Sequence, residues 1–342
     1  MARSNNIRDV AARAGVSVGT VSNAINRPDK VTPAVLQRVE IAIRDLGYVR
    51  NDAARQLRAG RSNTIAFAVL DVRNPFFTDV ARGAESEAAS AGMSVILGNS
   101  DEQEDREAAY LDLFEQQRVH GILISPYRDI GPRLAALRAK GTPVVLVDRM
   151  SKDLSISSVS VDDVAGARLA VEHLLAQGRR RVAYVGGPTE IRQVADRLKG
   201  ARAAIAAHNG AKLETLSLNG LTVQEGRRVG EEIAIRRPEA RPDAIFAAND
   251  LVATGLLQGL VMRSAVRVPD DIALVGYDDI DFASAAVVPI TSVRQPSDLI
   301  GRTAVRILLD EAADPHLAAR QIVFQPELVI RESSVTSARR RS

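Results

Sequence analysis

Short runs of apolar, β-branched residues alternate with longer amphipathic stretches over most of this 342-residue chain. The first series of such runs lies at 64–70, 93–99, 120–126 and 142–148, and the second at 181–187, 213–218, 243–249 and 272–278. Apolar strands separated by helices form parallel sheets that are covered on both faces. The sequence therefore predicts an α/β body over 62–335 with two doubly wound parallel-sheet subdomains, between which the chain crosses near 160 and at 285–292. The runs that begin at Thr291 and Ile322 are expected to cross back and complete the sheets.

Polar residues stand at the carboxyl ends of these runs. In open α/β sheets a ligand binds just beyond the carboxyl ends of the strands, where loops converge on a cleft. Ordinary loop polarity would give the same pattern, so position alone does not identify a site. The candidates are Asp71, Asn74, Asn99, Ser100, Ser125, Asp148, Arg149, Gly187, Asn249, Asp250, Asp278 and Asp279.

The first 50 residues carry a different pattern, typical of an all-α head with three short helices. Apolar residues recur at helical spacing over 7–14, and Gly15 ends that pattern. Ser17 can cap a second helix over 18–26, and a Thr-Pro pair opens a third helix over 33–46. Two helices joined by a short turn that contains glycine form a helix-turn-helix, which we predict here.

The outward face of the second helix is small, uncharged and rich in amide and hydroxyl groups. An exposed helix face selected only for solubility usually carries Glu and Lys. Asn can pair with adenine, Val can pack on a thymine methyl group, and hydroxyls or N-terminal amides can reach phosphates. The residues expected to contact DNA are Ser17, Val18, Gly19, Thr20, Ser22, Asn23 and Asn26.

Charge is divided unevenly along the chain. Residues 1–61 contain eleven Lys/Arg and five Asp/Glu, a net charge of +6, whereas the whole chain carries only +3. A basic end on an acidic body is expected when one end meets phosphates, although a solvated basic surface would give the same balance. The charge therefore agrees with DNA binding without establishing it.

The N-terminal sequence resembles that of the lactose-repressor (LacI/GalR) family. The similarity is carried by IRDVAARAGVSVGTVSNAIN followed by VTPAVLQRVEIAIRDLGYVRNDAARQLRAGRSNTIAFAV. The helix pair, the third helix, the Gly-Tyr turn, the N-x-x-A-x-x-L hinge and the first strand occur in the family's order and spacing. The resemblance implies that Val18, Gly19 and Asn23 read bases in the major groove, although Gly19 replaces the longer polar side chain often found there.

The resemblance also gives a role to the segment over 51–61, which contains a helix-competent run at 52–57 that is too short to be stable alone in water. It implies a hinge helix that folds only in the DNA-bound dimer. Leu57 and its partner's copy would then wedge into the minor groove and kink the duplex, with Ala54 beside them at a close approach. A plain charged linker is the alternative. The last residues, 336–342, are expected to form a disordered tail.

The same family carries a periplasmic-binding-protein fold as its effector domain, so the resemblance covers essentially the whole chain. It implies that Asp148, Arg197, Asn249, Asp278 and Gln295 bind the effector. Asn and Asp acceptors suit sugar hydroxyls, and an arginine fork suits a hydroxyl pair or a carboxylate, so we expect a sugar or sugar derivative. The apolar wall is expected from Phe76, Phe77 and Leu146, since no aromatic residue occurs over 218–221, where many members place one. The full set of expected effector-binding residues is Asn74, Phe77, Ser125, Asp148, Arg149, Arg197, Asn249, Asp278 and Gln295.

Composition and motifs argue against other classes of protein. The chain has no Cys, which excludes disulfide frameworks, thiol catalysis and thiolate metal sites, and its four His lack metal-ligand spacing. No phosphate-binding glycine motif stands between a strand and a helix, so we expect neither enzyme activity nor a cofactor. The N-terminus lacks an apolar signal region, and no apolar run approaches the roughly 20 residues of a membrane helix. This argues against a secreted solute-binding protein and predicts a cytoplasmic one.

These observations together predict a sequence-specific transcriptional regulator that acts as a repressor. It is expected to bind a pseudo-palindromic operator in double-stranded DNA as a homodimer, with no membrane partner. A small molecule in the body would control operator affinity through a reciprocal coupling. The tail has no leucine heptad that would support a tetramer. The effector could act as inducer or as corepressor.

Overall fold

The structure is a computed structural model that describes residues 5–48, 62–262 and 265–335. The chain divides into two compact units, Met1–Ser62 and Asn63–Ser342. The expected hinge with Ala54 and Leu57, and the expected tail over 336–342, lie outside the described residues. None of the described helices combines the length with the apolar character that a membrane crossing requires.

The N-terminal unit contains the three helices that the sequence predicts. They are α1 (Ile7–Ala14), α2 (Val18–Asn26) and α3 (Pro33–Leu46). Gly15 follows α1 with φ at 62°, a left-handed conformation that glycine adopts at no steric cost. Val10, Val21 and Val39 supply one almost fully buried side chain from each helix to a single apolar cluster. This cluster holds α2 by its apolar side and leaves its polar side outward.

Polar caps define where these helices begin. Asn6 accepts a hydrogen bond from the backbone of Arg8, and Asp9 accepts one from the backbone of Asn6, which closes a capping box around the start of α1. Ser17 Oγ accepts the backbone N–H of Thr20 at 3.1 Å and caps α2. The residue before α3, Thr32, makes no side-chain cap, and Pro at the first helical position needs no partner for an N–H.

The larger unit contains twelve described strands and nine described helices that alternate along the chain. The strands are β1 (Thr64–Val69), β2 (Ser94–Asn99), β3 (Gly121–Ile124), β4 (Val144–Val147), β5 (Ser157–Val161), β6 (Arg181–Gly186), β7 (Lys212–Ser217), β8 (Ala244–Ala247), β9 (Ala273–Asp278), β10 (Thr291–Arg294), β11 (Gln321–Phe324) and β12 (Glu327–Val329). The helices are α4 (Pro75–Ser90), α5 (Glu104–Gln116), α6 (Gly131–Ala139), α7 (Asp163–Ala176), α8 (Arg192–Ala206), α9 (Val223–Ala234), α10 (Asp250–Val261), α11 (Asp281–Ala285) and α12 (Ser297–Ala313).

The strands form two six-stranded sheets, which confirms the expected pair of doubly wound subdomains. The first sheet has the order β11-β5-β4-β3-β1-β2, and all its neighbouring strands are parallel. The second sheet has the order β12-β10-β9-β8-β6-β7, in which only β12 runs antiparallel to its neighbour. The central strands are buried along their whole length, as helices on both faces require.

The connections between the sheets differ in detail from the sequence prediction. Strand β5 reads SSVSV and was not expected, because its three serines hide an element whose five residues are all buried. The chain crosses back at 295–296 rather than at 285–292, since β10 still belongs to the second sheet. It crosses once more between β11 and β12.

Two helices of the first subdomain pack with their backbones unusually close. A Cβ on Gly301 of α12 would lie 2.0 Å from the carbonyl oxygen of Val80 in α4, and one on Gly83 would lie 2.2 Å from that of Asp298. Any larger side chain would push the two helices apart. These glycines therefore allow α12 to pack closely against α4. In this way a helix from the C-terminal part of the chain becomes part of the first subdomain.

Candidate DNA-binding face and effector site

The outward face of α2 exposes the residues that the sequence predicts to read bases. The side chain of Val18 is 42 % exposed, and Gly19 and Asn23 are exposed beside it. The hydroxyls of Ser17 and Thr20 lie 2.9 Å apart and serve the helix cap. The side chain of Asn26 lies outside the described residues. On this helix an apolar side chain, Val18, and an amide side chain, Asn23, are therefore both exposed.

A cavity of about 440 Å³, including its open mouth, lies at the carboxyl ends of both sheets of the larger unit. Six of the nine residues expected to bind an effector line it. Both subdomains contribute, so a ligand here touches both. The first supplies Leu70, Asp71, Asn74, Phe76, Phe77, Glu102 and Asp148, and the second supplies Ile191, Gln193, Val194, Arg197, Leu221, Asn249 and Asp278.

Arg197 lies at the inner end of the cavity and is 3 % exposed. Its Nε donates to Asp163 Oδ1 at 2.8 Å, and one terminal nitrogen donates to the carbonyl of Ala248 at 2.7 Å. The other terminal nitrogen lies 3.6 Å from Asp278 Oδ1, and the guanidinium stacks 3.6 Å from the ring centre of Tyr277. These contacts hold the side chain in one orientation.

Two hydrogen bonds cross the cleft between the subdomains. Asn74 Nδ2 donates to Asp278 Oδ2 at 2.8 Å. From the opposite side, Gln193 Nε2 donates to the backbone oxygen of Asp148 at 2.6 Å and to its Oδ2 at 2.8 Å. Each amide therefore lies on one subdomain and its aspartate on the other. We call these two contacts the cross-cleft pairs.

The cross-cleft pairs are related by the repeat of the fold. Asn74 caps the helix after the first strand of its subdomain, and Gln193 lies in the first turn of the helix after the first strand of the other. Asp148 follows the fourth strand of the first sheet, and Asp278 ends the corresponding strand, β9, of the second. Both aspartates have left-handed backbones, with φ at 58° and 103°. Strained conformations of this kind persist where the surroundings enforce them, commonly at binding sites.

Burial changes the acidity of the charged groups around the cavity. It raises the pKa of Asp148 well above its ordinary value, and the charges of Asp163 and Asp278 add to that shift. Burial also raises the pKa of Asp278, against which Arg197 acts in the opposite direction. Burial lowers the pKa of Arg197, but the negative charges of Asp163 and Asp278 raise it by more. The pKa of Arg197 therefore lies above its ordinary value. The guanidinium therefore stays charged and its acidic neighbours share one compensating cation.

Two more of the expected residues support the site in different ways. The side-chain oxygen of Asn249 caps α10, where it accepts a hydrogen bond from the backbone N–H of Val252 at 2.9 Å. Its amide nitrogen remains for a ligand. Gln295 does not line the cavity but donates to Asp278 Oδ1 at 2.9 Å and so fixes that carboxylate from behind. Phe76 and Phe77 form an edge-to-face pair, with ring centres 5.1 Å apart, at the apolar wall.

The structure does not bring the remaining expected residues to this cavity. Ser125 is buried and its hydroxyl has no partner among the described residues, but it is not part of the lining. Arg149 and Leu146 line a second cavity, inside the first subdomain. There Arg149 donates to the carbonyl of Arg128 at 2.8 Å.

Sequence reasoning missed three residues of the site. Gln193 follows an arginine at the start of α8 and looks like an ordinary helix-surface residue. Asp163 stands next to the helix-capping Asp162, which offers a simpler explanation for an acidic residue there. Glu102 follows the end of β2 by three residues. Matching the two halves of the fold strand by strand would have paired Gln193 with Asn74 and drawn attention to it.

Comparison with known proteins places both parts of the chain. Residues 6–51 match the family described as bacterial regulatory proteins, lacI family, and residues 171–334 match the periplasmic binding protein-like domain. Over 334 residues the chain is 35 % identical to the HTH-type transcriptional regulator CelR of Thermobifida fusca, which covers 95 % of this chain and 96 % of the relative. The chain belongs to the lacI family.

Other lacI-family proteins match along their whole length. The HTH-type transcriptional repressor CytR of Escherichia coli K12 is 31 % identical over 96 % of both chains. The structure of a CelR–cellobiose complex has a TM-score of 0.71 at 31 % identity and covers 96 % of this chain and 99 % of that one. The structure of the lac repressor dimer bound to operator and the anti-inducer ONPF has a TM-score of 0.83 at 27 % identity. The match covers 98 % of this chain and 100 % of that one.

Membership of the lacI family confirms the function class that the sequence predicts. This chain is a DNA-binding transcriptional regulator and not an enzyme. Its N-terminal unit is the DNA-binding domain, and its larger unit is the periplasmic-binding-protein-like domain that binds an effector. The resemblance to the lactose-repressor family stated from the sequence is confirmed over nearly the full chain.

Proposed function

We propose that this regulator binds a pseudo-palindromic operator as a homodimer and that a sugar in the cavity between its subdomains sets its affinity for that operator. The observation that carries the proposal is the cavity itself, where polar residues of both subdomains converge and already bond across the cleft. A ligand that touches both walls binds differently when the walls move. This differential affinity is what allosteric control requires.

The chemistry of the lining supports a sugar. Carboxylate and amide oxygens of Asp148, Gln193 and Asp278 can accept hydrogen bonds from hydroxyl groups, while Phe76 and Phe77 offer an apolar wall to a sugar's C–H face. Several structural relatives carry sugars. One is the CelR–cellobiose complex, and another is a lacI-family regulator from Enterococcus faecium with bound ribose, at 26 % identity and a TM-score of 0.72.

We assign operator reading to the outward face of α2. Val18 and Asn23 would contact base edges in the major groove, while Gly19 allows close approach of the backbone. The lac repressor, bound to operator as a dimer, supports the two-fold arrangement. Its symmetry requires a pseudo-palindromic site. Ala54 and Leu57 complete the proposed interface in the minor groove, and the protein would act in the cytoplasm, where the bacterial chromosome lies.

Control follows from linkage between the two sites. A sugar that displaces or bridges the cross-cleft pairs changes the angle between the subdomains, and the head is joined to the first of them by the segment over 51–61. Couplings of this kind are typically about 1–3 kcal/mol, so operator affinity would change about 5- to 150-fold. Reciprocity requires operator DNA to change sugar affinity by the same factor.

The test begins with the operator, which selection from random duplexes by the full-length protein would supply. Sugars are then screened by thermal shift, and operator affinity is measured with each hit present and absent. A preferred duplex whose affinity changes at least 5-fold with one sugar supports the proposal. No sequence preference with or without any sugar refutes it.

Variants separate the two sites. Asn23→Ala should weaken specific binding by about 1–3 kcal/mol and spare non-specific binding, because it removes a base contact. Gln37→Ala is the matched control, because Gln37 is an exposed amide side chain on α3.

Asp278→Asn should abolish the sugar response and keep operator binding, whereas Asp281→Asn, at an exposed position, should respond normally. A fully responsive Asp278→Asn protein would exclude the proposed effector site.

A further inference from the structure

Negative charge dominates the cavity. Four carboxylates line it, those of Asp71, Glu102, Asp148 and Asp278, against the single guanidinium of Arg197. Arg197 is already paired with Asp163 at 2.8 Å behind the lining. Among the lining carboxylates, that of Asp71 is paired with Arg73, whose Nε lies 2.9 and 3.0 Å from its two oxygens, but Arg73 is also paired with Asp101 at 2.7 Å. Even with Asp148 protonated, as its raised pKa favours, the net charge that a ligand meets is negative above pH 7, where Glu102 is ionised.

Two buried polar atoms of the lining lack partners, Gln193 Oε1 and Asp148 Oδ1. The amide oxygen can only accept a hydrogen bond, and the carboxyl oxygen accepts one when Asp148 is ionised. The orientation of the Gln193 amide is determined, because its nitrogen faces the backbone carbonyl of Asp148, which can only accept, as well as Asp148 Oδ2. Asn74 is determined in the same way: its oxygen accepts from Phe76 N at 3.1 Å, so its nitrogen faces Asp278. Buried acceptors without partners are costly, and a ligand that donates removes the cost.

Glu102 adds a charge at the rim of the cavity. Its backbone is held at φ 57°, with its N–H donating to the carbonyl of Leu70 at 3.1 Å. Its carboxylate is half-buried and has no hydrogen bond or ion pair within the parts of the chain that the structure describes. A negative ligand group placed beside it would be repelled, and a positive one attracted.

We propose that the effector is a hydrogen-bond donor without negative charge, a neutral sugar or an amino sugar, and that Glu102, Asp148 and Gln193 exclude sugar phosphates and sugar acids. This inference rests on the proposed function, since it concerns the same cavity. Two like charges about 6 Å apart, at an effective dielectric constant of about 20, lower affinity about 100-fold. The lining therefore selects among sugars by charge before it selects by shape.

The test uses probes that differ by one group. Glucose, glucosamine, glucuronate and glucose 6-phosphate form one series, ribose and ribose 5-phosphate a second, and cellobiose and cellobionate a third. Dissociation constants for the full-length protein are measured by titration calorimetry at pH 8. At least one neutral or amino sugar should bind, and its anionic counterpart should bind about 100-fold more weakly.

Glu102→Gln shows whether the discrimination comes from charge. The amide keeps the size of the side chain and removes its negative charge, so an anionic probe should gain at least about 5-fold in affinity while its neutral counterpart changes by less than about 3-fold. Glu104→Gln is the matched control, because Glu104 lies outside the cavity in an exposed ion pair with Arg128. It should alter neither affinity.

The outcomes separate this inference from the proposed function. An anionic probe that binds as tightly as its neutral counterpart, and still changes operator affinity, overturns the inference and leaves the regulator intact. If the difference in affinity between the neutral and the anionic probe is unchanged in Glu102→Gln, the role proposed for Glu102 is wrong. If no probe binds and operator affinity is insensitive to all of them, the sugar site fails and the inference fails with it.

Discussion

Replacing Glu102 by Gln should make the protein more stable at high pH and leave it unchanged at low pH. Burial raises the pKa of Glu102 from its ordinary 4.5 to about 7, the charge of Asp71 raises it further, and Arg73 only partly opposes them. The folded protein thus holds a proton that the unfolded chain releases. Stability then falls as the pH rises from 4.5 to about 7, because the unfolded state binds fewer protons over that range.

The size of the effect follows from that pKa. A change from 4.5 to about 7 corresponds to at most about 3 kcal/mol between the two protonation states. Since the side chain is only half-buried, water screens part of this, and about 1–2 kcal/mol is expected. Gln resembles the protonated carboxyl at every pH. The variant should therefore match the wild type near pH 4.5 and exceed its free energy of unfolding by about 1–2 kcal/mol at pH 8.

Urea unfolding followed by circular dichroism at pH 4.5, 6, 7 and 8 measures this difference directly. Only the difference between the two proteins is interpreted, so other titrating groups cancel. Glu104→Gln serves as the control and should follow the wild type, because Glu104 is exposed. A gain of the same size at pH 4.5 and pH 8, or a loss at pH 8, would refute the argument that burial of a charge is responsible.

Three further outcomes are expected. Leu57→Ala should reduce DNA bending in the operator complex; an unchanged bend angle in a gel assay would remove the proposed wedge. Gly301→Ala should lower the free energy of unfolding by about 1–3 kcal/mol, because the new Cβ would meet a carbonyl oxygen at 2.0 Å, whereas Gly220→Ala, with its nearest atom at 3.9 Å, should be close to neutral. Asn74→Ala and Gln193→Ala should cost less together than the sum of their separate losses of stability, since breaking either cross-cleft pair frees the same cleft; strict additivity would show that the pairs act independently.

Periodicity predicted most of the fold because the strands are apolar on both faces. The eight runs read from the sequence correspond to β1–β4 and β6–β9, with ends that differ by one or two residues. The exception is β5, which is buried with three serines. Hydroxyl groups give no apolar signal, and a partner far away in the sequence cannot be read from periodicity. Ser157, for example, donates to the buried carboxylate of Glu311, a contact between residues 154 positions apart.

The candidate site was predicted less completely, because strand ends specify where loops converge but not which side chains face each other. Asp148, Asn249 and Asp278 lie where strand ends place them. Gln193 could not be found in this way, because its partner is the carboxylate of another subdomain. Arg149 shows the opposite error, because it was expected in the site and is not there. It directly follows Asp148, whose backbone is left-handed, and its side chain lines a different cavity.

If the proposed function is right, the cross-cleft pairs would make sugar binding and subdomain movement depend on each other. Asp148 and Asp278 are the acceptors of the two pairs and also line the cavity. A sugar hydroxyl that donates to Asp148 Oδ1 uses an oxygen that the pair leaves free, and so binds with the cleft closed. A hydroxyl that instead takes Asp148 Oδ2 or Asp278 Oδ2 competes with the amide of the opposite wall and favours the open cleft. In that mechanism the oxygens that the sugar occupies would decide the direction of control, and two sugars of similar affinity would be able to have opposite effects on operator binding.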